Sequence, residues 1–162
     1  MKELEYPFDA AYIIKKRKSL KKALLADGTS RIRKKIAVFG GSTTSDIVKT
    51  LELFLLDAGI EPEFYESEYA QYFQDAMFPD ETLLSFKPDI VFIHTTNRNV
   101  TDWPEMTDTT EQIDEKLHTE INRFTAMWKS IAEKVHCPII QNNFEMPLYR
   151  LLGSRDAWDI HG

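Results

Sequence analysis

Apolar side chains recur along this chain at two alternating spacings. Four short runs, residues 36–39, 63–66, 90–94 and 138–142, are close-set in branched and aromatic residues and read as strands. Between them the spacing relaxes to three and four. The stretch 44–58 places Ile47, Leu51, Phe54 and Leu55 on one helical face, and Gly59 follows where a helix C-cap would stand. Residues 70–86 are less regular, with Pro79 separating a loop from a short helix. The longest periodic stretch, 110–135, carries Ile113, Leu117, Ile121, Phe124, Trp128 and Ile131 and predicts a helix that buries this whole face. Near the N-terminus Tyr12, Ile13, Leu20, Ala23 and Leu24 repeat at helical intervals. Strand alternating with helix predicts an α/β domain: a mainly parallel sheet inside a three-layer α/β/α sandwich, preceded by an N-terminal basic amphipathic helix.

Charge divides the chain into two parts. Residues 1–35 hold 11 Lys and Arg against 4 acids, a net +7, whereas the remainder holds 9 against 22, a net −13. We therefore read a basic helical arm over 1–35 and one α/β domain over 36–162. The tract Lys15-Lys16-Arg17-Lys18 with Lys21-Lys22 is first the wet side of an amphipathic helix. It could also dock on the chain's own acidic remainder or on an acidic partner. Nucleic acid and membrane are not expected partners. No apolar run approaches the roughly 20 residues that span a bilayer, and the first residues lack a secretory pattern, so a cytoplasmic location is expected. The single cysteine, Cys137, rules out an internal disulfide and reads as a core thiol.

In a parallel sheet the C-terminal strand ends share one edge, where ligands bind near the point at which strand order reverses. That edge gathers Gly41, Ser42, Thr43 and Thr44 after the first strand, and His94 to Asn99 after the third. Asn142 and Asn143 follow the fourth. Gly40 and Gly41 suit a turn with backbone angles closed to other residues, exposing Ser42 Oγ beside helix N-terminal amides. A serine so placed fits a nucleophile with an oxyanion hole, and the same Ser, Thr and Asp residues fit helix capping. Asn97 and Asn99 could donate amides to an oxyanion or shape the turn. Arg98 could clamp an anion or pair with an acid, and His94 could act in the site or serve the strand end. Trp103, Phe144, Tyr149 and Trp158 could line an apolar pocket or cover the sheet edge. The one Asp and His pair that could serve Ser42 is Asp159 and His161. Neither a phosphate-binding nor a dinucleotide glycine motif occurs, and the four histidines have no metal-ligand spacing, so no cofactor and no metal are expected within these residues.

Gly40-Gly41-Ser42-Thr43-Thr44, the segment 59–69, Ile93-His94-Thr95-Thr96-Asn97-Arg98-Asn99 and Gln141-Asn142-Asn143-Phe144-Glu145-Met146-Pro147 together resemble the N-terminal SGNH-like region of FkbH-like proteins. The resemblance implies a flavodoxin-like or SGNH-like fold with Ser42 at the block I serine and Asn97 at the block III asparagine. Gly41 stands in place of the usual aspartate, Thr95 in place of a glycine, and Asp159 and His161 are one residue too close for the last block. In that family the region precedes a haloacid-dehalogenase-like domain of subfamily IIIC, and some members load glyceryl groups onto an acyl carrier protein. The resemblance thus implies a substrate- or carrier-binding region with weak or no hydrolysis of its own, partnered by such a domain and an acyl carrier protein. An active serine esterase or acyltransferase using Ser42 is the alternative. The sequence leaves the oligomeric state open.

Overall fold

The structure is a computed structural model, and it describes residues 1–147, 152–155 and 158–159. The strands are β1 (Ile32–Gly40), β2 (Ile60–Glu66), β3 (Ile90–His94) and β4 (Ile139–Gln141), all parallel, in the order β2-β1-β3-β4. The helices are α1 (Ala10–Ala26), α2 (Ser45–Asp57), α3 (Tyr72–Met77), α4 (Glu81–Phe86) and α5 (Thr110–Lys134). The expected α/β/α sandwich is therefore present. Short 3-10 turns stand at Lys2–Leu4, Asn97–Asn99 and Gly153–Arg155.

Strand alternation assigns the layers. On one face, Ala37, Phe39, Val91 and Ile93 pack with Tyr72 and Ala76 of α3 and Phe124, Met127 and Ile131 of α5. On the other, Ile36 and Val38 pack with Val48 of α2, joined by Phe64 and Phe92. The basic helix α1 buries Ile13, Leu20 and Leu24 against Leu53 and Leu56 of α2. Its Arg17 and Lys21 pair with Asp46 (2.9 Å) and Glu52 (2.7 Å), so part of the basic tract does dock on the chain's own acids. Among the described residues no helix is long and apolar enough to cross a membrane.

Several boundaries differ from expectation for physical reasons. β1 begins at Ile32 rather than at 36, because its backbone pairs with β2 from Ile32 opposite Ile60 onward; Arg33 and Lys34 decorate this extension with exposed ion pairs to Glu61 (3.5 Å) and Asp89 (3.0 Å). β2 runs through Pro62, tolerated because β2 is an edge strand. The stretch 70–86 forms two six-residue helices, the second capped by Asp80, which accepts Leu83 N–H at 2.8 Å. The α5 face expected to be buried is only partly so: Leu117, Ile121 and Trp128 stay 56%, 51% and 41% exposed. α2 buries Val48, Leu53 and Leu56, having the sheet on one side and α1 on another. Cys137 is half-buried, and burial pushes its thiol above the ordinary value.

β4 forms one margin of the sheet. Val91 N–H donates to Pro138 O and Asn142 N–H to Ile93 O, so the alternation of a parallel ladder turns the main-chain groups of Ile139 and Gln141 outward.

Candidate functional site

Strand order reverses between β1 and β3, and the turns after these strands meet there. Gly41 N–H donates to His94 O at 2.8 Å, one step beyond the paired strands. From the other side, Asn99 Nδ2 donates to Gly41 O at 3.0 Å, while its Oδ1 accepts Thr96 N–H at 2.8 Å. Thr96 in turn caps the 3-10 turn by accepting Arg98 N–H at 3.3 Å. One side-chain amide thus closes its own loop and ties it to the end of β1.

The two glycines are required here for space. Neither has a positive φ, which corrects the expectation that they supply unusual backbone angles. A Cβ on Gly41 would lie 2.4 Å from Asn99 Oδ1, and one on Gly40 would lie 2.7 Å from Thr44 Cγ2 and 2.8 Å from Ser42 O.

Ser42 follows at a bend, half-buried, with no hydrogen-bond partner among the described residues. Thr43 is exposed. Thr44 is buried and stands at the N-cap position of α2, but its side chain does not cap; the hydroxyl donates to Glu66 Oε2 at 3.3 Å. The first amides of α2 are therefore left without a side-chain cap at this strand end. Gly40 N–H donates to Ser67 Oγ at 3.0 Å, which brings the turn after β2 against the same strand end.

The remaining predicted residues divide by what they touch. Asn142 accepts Thr95 N–H at 3.0 Å and donates to Thr95 O at 2.7 Å, so its amide continues the β3 to β4 ladder by one rung. Asn143 is exposed, and its carbonyl accepts Asn142 Nδ2 at 2.7 Å. Asn97 uses its main-chain N–H on Glu145 Oε2 at 3.2 Å, and Asn99 is the asparagine that reaches the Gly41 turn. Arg98 is exposed, without an ion pair among the described residues. The His94 ring lies half-buried with its centroid 6.2 Å from that of Phe92. Tyr149 and His161 lie outside the described residues, and Trp158 is 91% exposed. Among the described residues no group of three or more His, Cys, Asp or Glu could hold a metal ion.

Support comes from a pair that pattern reading did not single out. Glu120 on α5 accepts Thr101 N–H at 2.9 Å and the Thr101 hydroxyl; Arg123 donates to Asn99 O at 2.6 Å, to Glu120 at 2.6 Å and to Tyr72 Oη at 3.0 Å. The guanidinium also lies 4.5 Å from the Phe124 ring centroid. Burial opposes the charge on Glu120, but Arg123 and Thr101 outweigh it and hold the carboxyl below its usual range. The Arg123 guanidinium is likewise held above its usual value, because Glu120 and Tyr72 outweigh its desolvation. The sequence signal was a Glu and Arg three apart on the flank of an otherwise apolar helical stripe.

Beside this loop an apolar groove of about 560 Å³ runs along α5 to the turn after β4, lined by Trp103, Leu117, Ile121, Phe124, Trp128 and Phe144. Trp128 Nε1–H donates to Gln141 Oε1 at 2.7 Å, and Lys116 at its rim is engaged by Asp108 at 2.8 Å and the Trp103 carbonyl at 3.1 Å. Of the four aromatics that could line a pocket or cover the sheet edge, Trp103 and Phe144 line this groove, with α5 supplying most of the rest.

No family model and no curated protein matches the sequence. Among solved structures, the chain is similar to the N-terminal part of the protein BF1531 from Bacteroides fragilis, described as containing a phosphatase domain and complexed with Mg, at 17% identity and a TM-score of 0.67. The match covers 90% of this chain and 38% of that one, so the chain spans under two-fifths of its structural neighbour, and what the two share is the fold.

Proposed function

We propose that this chain is an SGNH-like, substrate-binding region of an FkbH-like protein, serving glyceryl or acyl transfer by a longer enzyme and hydrolysing little by itself. The observation that carries this reading is the use of the site's amides. Asn99 and Asn142 spend their side-chain amides on main-chain atoms, which leaves the Asn97 amide as the side-chain donor for an oxyanion, and no described acid or base is hydrogen-bonded to Ser42. What stays open at the crevice is the Ser42 hydroxyl, Thr43 and the uncapped amides of α2, which suit a polar or anionic ligand. The sequence resemblance adds the substrate class, a glyceryl group derived from a phosphorylated three-carbon acid, and the partners, a phosphatase-type domain and an acyl carrier protein. The structural likeness to a chain described as containing a phosphatase domain supports the same direction.

Titration with 3-phosphoglycerate, followed by amide NMR, tests the reading. We expect shifts at Ser42, Thr43 and Ser45 that vanish in Ser42→Tyr; shifts confined to other surfaces would overturn it. The second reading, a serine esterase or acyltransferase, is favoured by the unengaged Ser42 hydroxyl at the head of α2. A fluorophosphonate probe separates the two. Labelling that disappears in Ser42→Ala supports catalysis, and an unlabelled chain supports binding.

A further inference from the structure

We propose that the outward face of α1 docks the acidic amphipathic helix of a partner protein. The inference deepens the partner side of the reading above and rests on it in taking that partner to be a protein; the surface itself is argued from charge and burial. α1 carries six cations, Lys15, Lys16, Arg17, Lys18, Lys21 and Lys22, and no acid. A helix stabilised only by solvent would gain from interleaved Glu at the i and i+4 positions, whereas Lys18 here faces like charges at 15, 21 and 22. Two of the six are neutralised within the fold, Arg17 by Asp46 and Lys21 by Glu52. Lys15, Lys16, Lys18 and Lys22 are exposed and have no ion pair with any described residue.

Three of these, Lys15, Lys18 and Lys22, follow the i, i+3, i+7 spacing and form one stripe along the helix. Ile14 and Leu25 border it, 61% and 52% exposed. A cationic row with an apolar margin is complementary to a helix that presents carboxylates beside a few apolar residues. A bilayer is the weaker match. The apolar stripe that α1 would insert, Ile13, Leu20 and Leu24, is already buried on α2. The same acidic excess around a lone basic helix steers an approaching acidic partner to this one face.

The test is fluorescence anisotropy with a labelled, about 20-residue helical peptide carrying Glu on one face and Leu along its border, beside a scrambled peptide of equal composition. The proposal expects binding to the intact chain at low salt, weakened about tenfold on raising NaCl from about 50 to about 300 mM, and weaker by a similar factor in Lys15→Glu/Lys18→Glu/Lys22→Glu. Ile14→Ser/Leu25→Ser should weaken it about threefold without changing the salt response. Should the charge-reversed triple fail to fold, the Lys→Gln triple is read in the same way. The idea falls if the scrambled peptide binds as tightly, if the triple variant binds as well as the parent, if phosphatidylglycerol vesicles take up the chain in preference to the peptide, or if the α1 cations serve only self-association that the triple variant abolishes. The crevice readout stays separate: the triple variant should keep the 3-phosphoglycerate shifts at Ser42, so either reading can fail alone.

Discussion

A methyl group at position 41 has nowhere to go. Gly41→Ala should cost about 1–3 kcal/mol in urea unfolding, because the new Cβ meets Asn99 inside van der Waals contact. Asn99→Ala removes the obstacle together with its hydrogen bonds to Thr96 and Gly41, so the double variant should lose less than the sum of the two single losses, a coupling that a thermodynamic cycle measures directly. Asp27 offers a test by pH. Arg31 Nη2 donates to it at 2.8 Å and Thr29 N–H at 2.7 Å, which lowers its carboxyl to about 2. A depressed acid stabilises the fold fully above its unfolded value, near 3.8, and that contribution fades as pH falls toward 2. Between pH 5 and pH 2.5, the urea midpoint of Asp27→Asn should therefore fall less than that of the parent chain.

At the scale of elements, the loop that carries Asn99 is only as well placed as the α5 pair behind it. Arg123→Met leaves Glu120 buried without its counter-charge, and we expect a loss of about 2–4 kcal/mol, somewhat under that of a fully buried pair because Arg123 keeps 19% of its side chain exposed. Hydrogen exchange of residues 96–101 should quicken in this variant, and Glu120→Leu/Arg123→Met should recover part of the loss. A smaller effect, about 1 kcal/mol, is expected for Thr109→Ala at the reciprocal cap with Gln112 that opens α5. The elements most legible in the sequence were those whose hydrophobic period was their reason for folding, α5 and β3 above all. β1 showed only its apolar half, since Arg33, Lys34 and Lys35 reveal nothing until Glu61 and Asp89 are beside them. The two short helices between β2 and β3 were blurred for a similar reason: six residues are too few to establish a period.

Across the whole molecule, parallel strands alternating with helices could be read from pattern alone, as could the convergence of polar turns at one sheet edge. What pattern could not tell was which polar group meets which. Asn97 and Asn99 are equivalent in composition, and only the 3-10 turn decides that the second crosses to Gly41. Asn142 looks like a ligand-binding amide until its bonds to Thr95 are seen. The uneven burial of α5 also belongs to this scale, because whether Leu117, Ile121 and Trp128 are covered depends on what lies beyond β4. Ile140, 54% exposed on that strand, should accept Lys with a stability change within about 0.5 kcal/mol, while lowering the fluorescence of a bound hydrophobic dye. Main-chain pairing ignores side-chain identity, so the outward amides and carbonyls of Ile139 and Gln141, unpaired among the described residues, form a template for an extended peptide of either polarity. Crowding this protein therefore invites strands to queue along that margin.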